Sequence, residues 1–298
     1  MNVNLWDDCD KFYNFFLELL SDVNTALYHY CSKETVLKIM QKDKVQLRLT
    51  RADQFDDKME GKAFEVYYDI ALEQLYYEKK INDAQRCQLE KIKVTDQREI
   101  FISNGKKSKL SNEHVDPYII CFSTKENDPY MFENYVHTGK NKVKAGYCIC
   151  SHSVILKGLF EKFLKENVRF DIDKVLYGSE VIEYIKKYII SALDKCSTIP
   201  DLREYTDEIF QKIQYIAKLS KFRFENEVRL IAYVPKNASY NGDIRKVMEG
   251  GKTYIYIDLE KSAICGISPD ENNLKEDDET LLKTLTDRKY ECIHENGS

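Results

Sequence analysis

Glu225 and Glu227 stand two positions apart in the run KFRFENEVRL, residues 221–230, with Arg229 next in line. Read as one strand over about 224–234, the run puts all three on one face and sets the carboxylates roughly 7 Å apart along the backbone. Phe224, Val228 and Leu230 are apolar, and Asn226 breaks their alternation. Carboxylates at that separation can serve different parts of one substrate. One binds a hydroxyl and stabilises developing positive charge, while the other handles an acceptor's proton. A solvated strand face, with Arg229 compensating the charge, is the plain alternative.

Two further clusters carry usable groups. Tyr28-His29-Tyr30, with Ser32 just beyond, alternates along a short strand, so His29 points away from its neighbours. A histidine there can donate a fixed hydrogen bond to a ligand hydroxyl, and a tyrosine can stack on a flat ring. A core histidine between packing tyrosines is the competing reading. Cys121-Phe122-Ser123-Thr124 ends an apolar run. Hydroxyls at such a strand end suit ligand contact, or they simply cap the turn that follows. Ser123 lacks the Gly-x-Ser-x-Gly surroundings of a nucleophile elbow.

Cys148, Cys150 and His152 share a strand face, but no fourth zinc ligand follows at finger-like spacing. Asp53, Asp56, Asp57 and Glu60 read as an acidic surface loop before a cation site. With no P-loop, GxGxxG or HExxH, the usual triphosphate, Rossmann and zincin chemistries have no support, and no metal is expected.

The elements that must position these groups fit one α+β domain over 1–298. Of the 298 residues 43% are hydrophobic and 32% charged, and no Pro/Gly/Ser-rich linker divides the chain. Strands are expected at 26–32, 44–49, 117–123, 145–152, 170–178, 224–234, 252–259, 263–268 and 290–295. Helices are expected at 9–21 (Phe12, Phe15, Phe16, Leu19, Leu20), 33–41 behind a Ser32 cap, 63–93, 180–195, 201–218 and 277–286. Residues 63–116, a long charged helix and a polar loop, have the character of a lid or partner surface.

Nine scattered cysteines without a CxxC pair suit reduced thiols. The acidic N-terminal stretch is unlike a signal peptide, and no apolar run approaches a membrane span. A cytoplasmic protein without membrane partners is the expectation. A net charge of −5 weighs against broad attachment to nucleic acid. Lys106, Lys107, Lys109, Lys221, Arg223 and Arg229 leave room for a local basic patch, or are ordinary surface charge.

Taken in order, LYHYCSKETVLKIMQKDKVQLRLTRADQFDDKMEG, YIICFSTKENDPYMFENY, AGYCIC, KFRFENEVRL and the terminal SAICGISPDENN…LLKTLTDRKYECI resemble domain-of-unknown-function family 2971 over about 25–295. That family is bacterial and linked in part to abortive-infection phage defence. It usually has tryptophan at the position of Phe132 and often proline at that of Asp57. More distantly, the layout is similar to the ADP-ribosyltransferase fold, which implies a split central sheet flanked by helices.

The resemblance implies an NAD-dependent ADP-ribosyltransferase, a phage-defence or toxin effector with NAD as its substrate. Glu227 would hold a ribose hydroxyl and stabilise the ribosyl cation, and Glu225 would orient or deprotonate the acceptor. His29, Tyr30, Ser32, Ser123 and Thr124 would bind NAD: His29 at the adenosine ribose, Tyr30 or a later aromatic on nicotinamide, Ser123 by supporting the strand or bonding Glu227. The implied partners are a protein or nucleic-acid acceptor and an antitoxin or phage trigger. An NAD glycohydrolase, or a non-catalytic nucleotide or phage-component sensor on the same scaffold, are the alternatives.

Overall fold

A computed structural model describes residues 26–41, 43–55, 62–91, 115–136, 146–153, 168–195, 213–236 and 244–270, with a few isolated positions besides. The described chain is a mixed α+β structure built on a curled antiparallel sheet. In chain order the main elements are β1 (Ala26–Ser32), α1 (Lys33–Ile39), β2 (Val45–Arg51), α2 (Ala63–Tyr77), α3 (Asp83–Glu90) and β3 (Val115–Ser123). A short α4 (Pro129–Met131), β4 (Gly146–His152), β5 (Arg169–Lys174), β6 (Leu176–Tyr177) and α5 (Ser179–Lys195) follow. The rest is β7 (Ala217–Lys218), β8 (Glu227–Pro235), β9 (Ile244–Glu249), β10 (Lys252–Leu259) and β11 (Gly266–Pro269).

The sheet forks at β3. One edge of β3 pairs with β8 along its whole length, from Val115↔Pro235 to Ser123↔Glu227. A strand has only two edges, so β1 and β2 must share the other. β2 takes Tyr118 and Ile119, and β1 takes Ser123. Between these contacts the two strands part, each carrying an arm: β1 leads to β4 and β11, β2 to β10 and β9. The notch they leave lies opposite residues 120–122 of β3.

Burial explains why β8 is central. Every residue from Glu227 to Val234 is buried, the near-continuous pattern of a strand covered on both faces. Ile231 and Tyr233 pack with α2 and α5 through Phe64, Leu72, Leu75, Val181, Ile185 and Ile189. Val228, Leu230, Ala232 and Val234 join a second core fed by both arms, with Leu27 and Ile149 from one and Leu47, Leu49 and Ile255 from the other. Each such aliphatic side chain contributes about 1.5–3 kcal/mol when fully buried.

Several expected boundaries move. The helix expected over 63–93 is two, because Lys79 takes a positive φ of 56° and Asn82 caps a new start through a reciprocal bond with Gln85. The strand expected at 170–178 splits into β5 and β6. The helix expected over 201–218 ends before Ala217, which with Lys218 forms β7 beside β6; residues 201–212 lie outside the described set. β9 is a strand beyond those expected; Gly250 and Gly251, both at positive φ, make the two-residue hairpin turn that pairs it with β10. The expected helix at 9–21 and strand at 290–295 fall outside the described residues, as does the helix at 277–286 apart from Lys283.

Candidate functional site

The expected glutamate strand is where the local structure differs most. Ser220–Glu225 is a 3-10 helix, Asn226 takes a left-handed φ of 44°, and β8 begins only at Glu227. Asparagine tolerates that conformation better than most residues. Glu225 and Glu227 therefore do not share a strand face. They approach each other across a turn, at 1% and 3% exposure, so neither lies on a solvated face.

Two buried carboxylates so placed need cations, and two are supplied. Arg229 Nε donates to Glu227 Oε1 at 2.8 Å and Arg229 Nη2 to Oε2 at 3.3 Å. Lys218 Nζ donates to Glu227 Oε2 at 2.9 Å and to Glu225 Oε2 at 2.5 Å. The Tyr135 hydroxyl donates to Glu225 Oε1. The Glu227 backbone N–H donates to the Tyr177 hydroxyl at 2.9 Å. The order Arg229–Glu227–Lys218–Glu225 alternates in charge and sums to zero, the condition under which buried ions persist.

The two carboxyls are driven apart in proton affinity. Burial alone would raise Glu227, but Arg229 and Lys218 outweigh it and hold the group well below the usual carboxylate range. Glu225 is pushed up, chiefly by burial and by the Glu227 charge, with Lys218 acting against both. One is held ionised and the other is drawn toward protonation, the arrangement that separates an electrostatic role from an acid–base role.

This cluster opens on a cavity of about 600 Å³ at the fork of the sheet. Its walls come from β1 (Tyr28, His29), β2 (Arg48, Thr50), the notch of β3 and the Glu225–Glu227 turn. Tyr135, Phe222 and Tyr256 add aromatic surface, and Lys38 a further cation. A few polar groups converging on a largely apolar concavity is the usual form of a small-molecule site.

His29 stands in the wall and contacts the edge of Phe122, with centroids 5.8 Å apart. Its Nδ1 lies 2.9 Å from the Cys121 carbonyl, which can only accept, so Nδ1 carries the proton. Burial lowers the His29 pKa, with Arg48 adding to the shift, and the ring is neutral near pH 7. Nε2 is then an acceptor. A ligand hydroxyl would donate to His29, the reverse of the expected direction.

The remaining expected residues divide. Tyr30 belongs to the wall, but Phe132 packs on its ring edge at 4.9 Å. Its hydroxyl donates to the Lys125 carbonyl and accepts from Asp128 N–H. Gly146 makes room for Phe132, since a Cβ there would stand 2.7 Å from the ring. Ser32 caps α1 by accepting from Thr35 N–H and is not among the wall residues. Ser123 does not bond the Glu227 side chain. It is 1% exposed and donates to the Glu225 carbonyl at 2.7 Å. Thr124 N–H donates to the Asn226 carbonyl at 3.0 Å. Ser123 and Thr124 thus clamp the turn that carries the glutamates and lie outside the cavity wall.

Lys218, Tyr135 and Tyr177 carry no local sequence signal of a site. Lys218 lay in a stretch read as helix, and its pairing with β6 is invisible locally. Asp56, Asp57 and Glu60 fall outside the described residues, while Asp53 is engaged by Arg51 at 2.6 Å. No helix among the described residues is long and apolar enough to cross a membrane. Comparison with protein-family models, with curated proteins and with solved structures gives no match.

Proposed function

We propose that the protein is an NAD-dependent ADP-ribosyltransferase whose donor site is the cavity at the fork, and that it serves as a bacterial phage-defence or toxin effector. The observation that carries this reading is the convergence of His29 with an ionised Glu227 and a proton-seeking Glu225 on one cavity, from segments nearly 200 positions apart in the chain. The motif resemblance to family 2971 and the forked sheet are consistent with it.

Breaking the nicotinamide–ribose bond builds positive charge on the ribose, as in glycoside cleavage. Glu227, kept anionic by Arg229 and Lys218, offers its charge to the developing ribosyl cation. Glu225 takes the acceptor's proton as the new glycosidic bond forms. His29 Nε2 accepts from a hydroxyl of the adenosine ribose, and Tyr28, Tyr135 or Phe222 supplies the flat surface for a ring.

One observation favours a second reading. Both Glu227 oxygens already bond cations, as in a structural ion pair, and a non-catalytic nucleotide-sensing module would have the same cavity. The test incubates purified protein and Glu227→Gln with labelled NAD and cell lysate, with and without infection. Glu227-dependent nicotinamide release with label on a macromolecule supports the transferase. Release without transfer indicates a glycohydrolase. Absence of release in every lysate refutes an enzyme and leaves the module.

A further inference from the structure

On the arm of the fork that β1 carries, just outside the cavity wall, two sulfurs nearly touch. Cys150 Sγ and Cys265 Sγ are 3.3 Å apart, and both residues are partly exposed. Cys150 sits in β4, with Gly266 of β11 as its register partner, while Cys265 N–H also donates to the Cys150 carbonyl at 2.9 Å. Cys265 and Gly266 thus both face Cys150, a bulge-like step that brings the Cys265 side chain onto Cys150. Gly266, lacking a side chain, leaves the space beside Cys150 open; a Cβ there would lie 3.7 Å from the Cys150 Cβ.

We propose that Cys150 and Cys265 are a reversible redox pair, oxidised by peroxide to a disulfide that fastens β11 to β4. The sulfurs need to close by little more than 1 Å to reach a bond of about 2.05 Å, and their backbones already share a hydrogen bond. The contact with Cys265 and burial push the Cys150 thiol up, so of the two it is the Cys265 sulfur, once it has lost its proton to solvent, that attacks. Its sulfur attacks one peroxide oxygen, the O–O bond breaks, and hydroxide leaves and is protonated to water, giving a sulfenic acid on Cys265. The Cys150 sulfur then attacks that sulfenic sulfur, the S–O bond breaks, and water leaves with the Cys150 proton. Two thiols lose two hydrogens and one peroxide becomes two waters.

The bridge would act on an otherwise lightly held strand. Among the described residues β11 pairs only with β4, through four register positions. Cys150 is also the register partner of Tyr28, whose hydroxyl is pushed up to about 12 by burial and by neighbouring thiol and carboxyl groups. The fastening therefore reaches the first strand of the cavity wall.

The full chain is treated with hydrogen peroxide, then analysed by intact mass, non-reducing peptide mapping and thermal unfolding. The expected product is lighter by two hydrogen atoms, linked between Cys150 and Cys265, and melts about 5 °C higher until a dithiol reductant restores it. Cys265→Ser should abolish both the link and the shift, and the wild-type map stands even if that variant folds poorly. A link between other cysteines, oxygen addition without a link, or a bridge that leaves the melting temperature unchanged would each overturn the proposal.

Discussion

Lys218 Nζ lies 2.9 Å from Glu227 Oε2 although the two residues belong to different sheets. Lys218 sits in β7, which pairs only with β6 among the described strands, while Glu227 opens β8 at the centre of the large sheet. The ammonium also reaches Glu225, so one cation holds together two carboxylates that would otherwise repel. Removing it should be costly. Lys218→Met is expected to lose about 3–5 kcal/mol in urea unfolding, since it leaves buried charge uncompensated. Lys218→Arg should recover part of that loss. A Met variant as stable as the parent would mean that the carboxylates share a proton instead.

Glu227→Gln keeps the size of the side chain and removes its charge. On the proposed mechanism, NAD-dependent nicotinamide release should fall by about 10²–10³-fold. Circular dichroism and urea unfolding should show a folded protein less damaged than Lys218→Met, because Arg229 retains the Tyr215 carbonyl and one amide oxygen as acceptors. Release at the parental rate from the Gln variant would remove Glu227 from the catalytic role.

Stability should depend on pH through His29. Its folded pKa lies below the ordinary 6.5, so the unfolded chain binds the proton more readily. The contribution is present above about pH 6.5 and lost as pH falls toward the folded value, with a slope of at most about 1.4 kcal/mol per pH unit. Glu227, depressed, adds stability that is complete above its ordinary 4.5 and lost as pH falls through its folded value. Glu225, raised, acts in the opposite sense: its contribution is present below 4.5 and fades as pH rises through its folded value. The His29 share is isolated by subtraction. The difference between parent and His29→Asn in urea unfolding should change with pH from 7 to 5, and a constant difference would contradict it.

Gly178 joins β6 to α5 at a φ of 58°, and a Cβ there would stand 2.0 Å from Ser220 Oγ. Gly178→Ala should therefore lose about 2–4 kcal/mol, combining left-handed backbone strain with overpacking against the turn that carries Glu225. Adding Ser220→Gly should restore the overpacking part and leave about 1 kcal/mol of strain. Urea midpoints of the single and double variants separate the two parts.

Much of the fold is legible locally. Alternation in KVQLRLT, residues 44–50, sets Val45, Leu47 and Leu49 inward and leaves Gln46, Arg48 and Thr50 for the cavity. Apolar runs mark β3 and β8, and Ser32 caps its helix as its position suggests. Where the structure departs from local expectation, weak local preferences met stronger distant ones. The KFRFE stretch has the aromatic and charged content of a strand, yet Ser123 and Thr124, about a hundred residues away, bond the Glu225 and Asn226 carbonyls and hold it as a turn. The long charged helix breaks because one turn at Lys79–Asn82 lets α3 fold back until the Tyr68 hydroxyl bonds the Leu89 carbonyl.

By itself the sequence determined that two glutamates and an arginine stand within five residues of one another at the head of an apolar run, because spacing is a property of neighbouring residues. Only the tertiary structure decided what those carboxylates face. Lys218, Tyr135, Tyr177 and His29 reach the cluster or its cavity from other strands and turns. Their arrival depends on strand pairing and on the fork at β3, which are long-range outcomes. The opposed proton affinities of Glu225 and Glu227 follow from burial and from those partners, so they too belong to the fold and not to the local sequence.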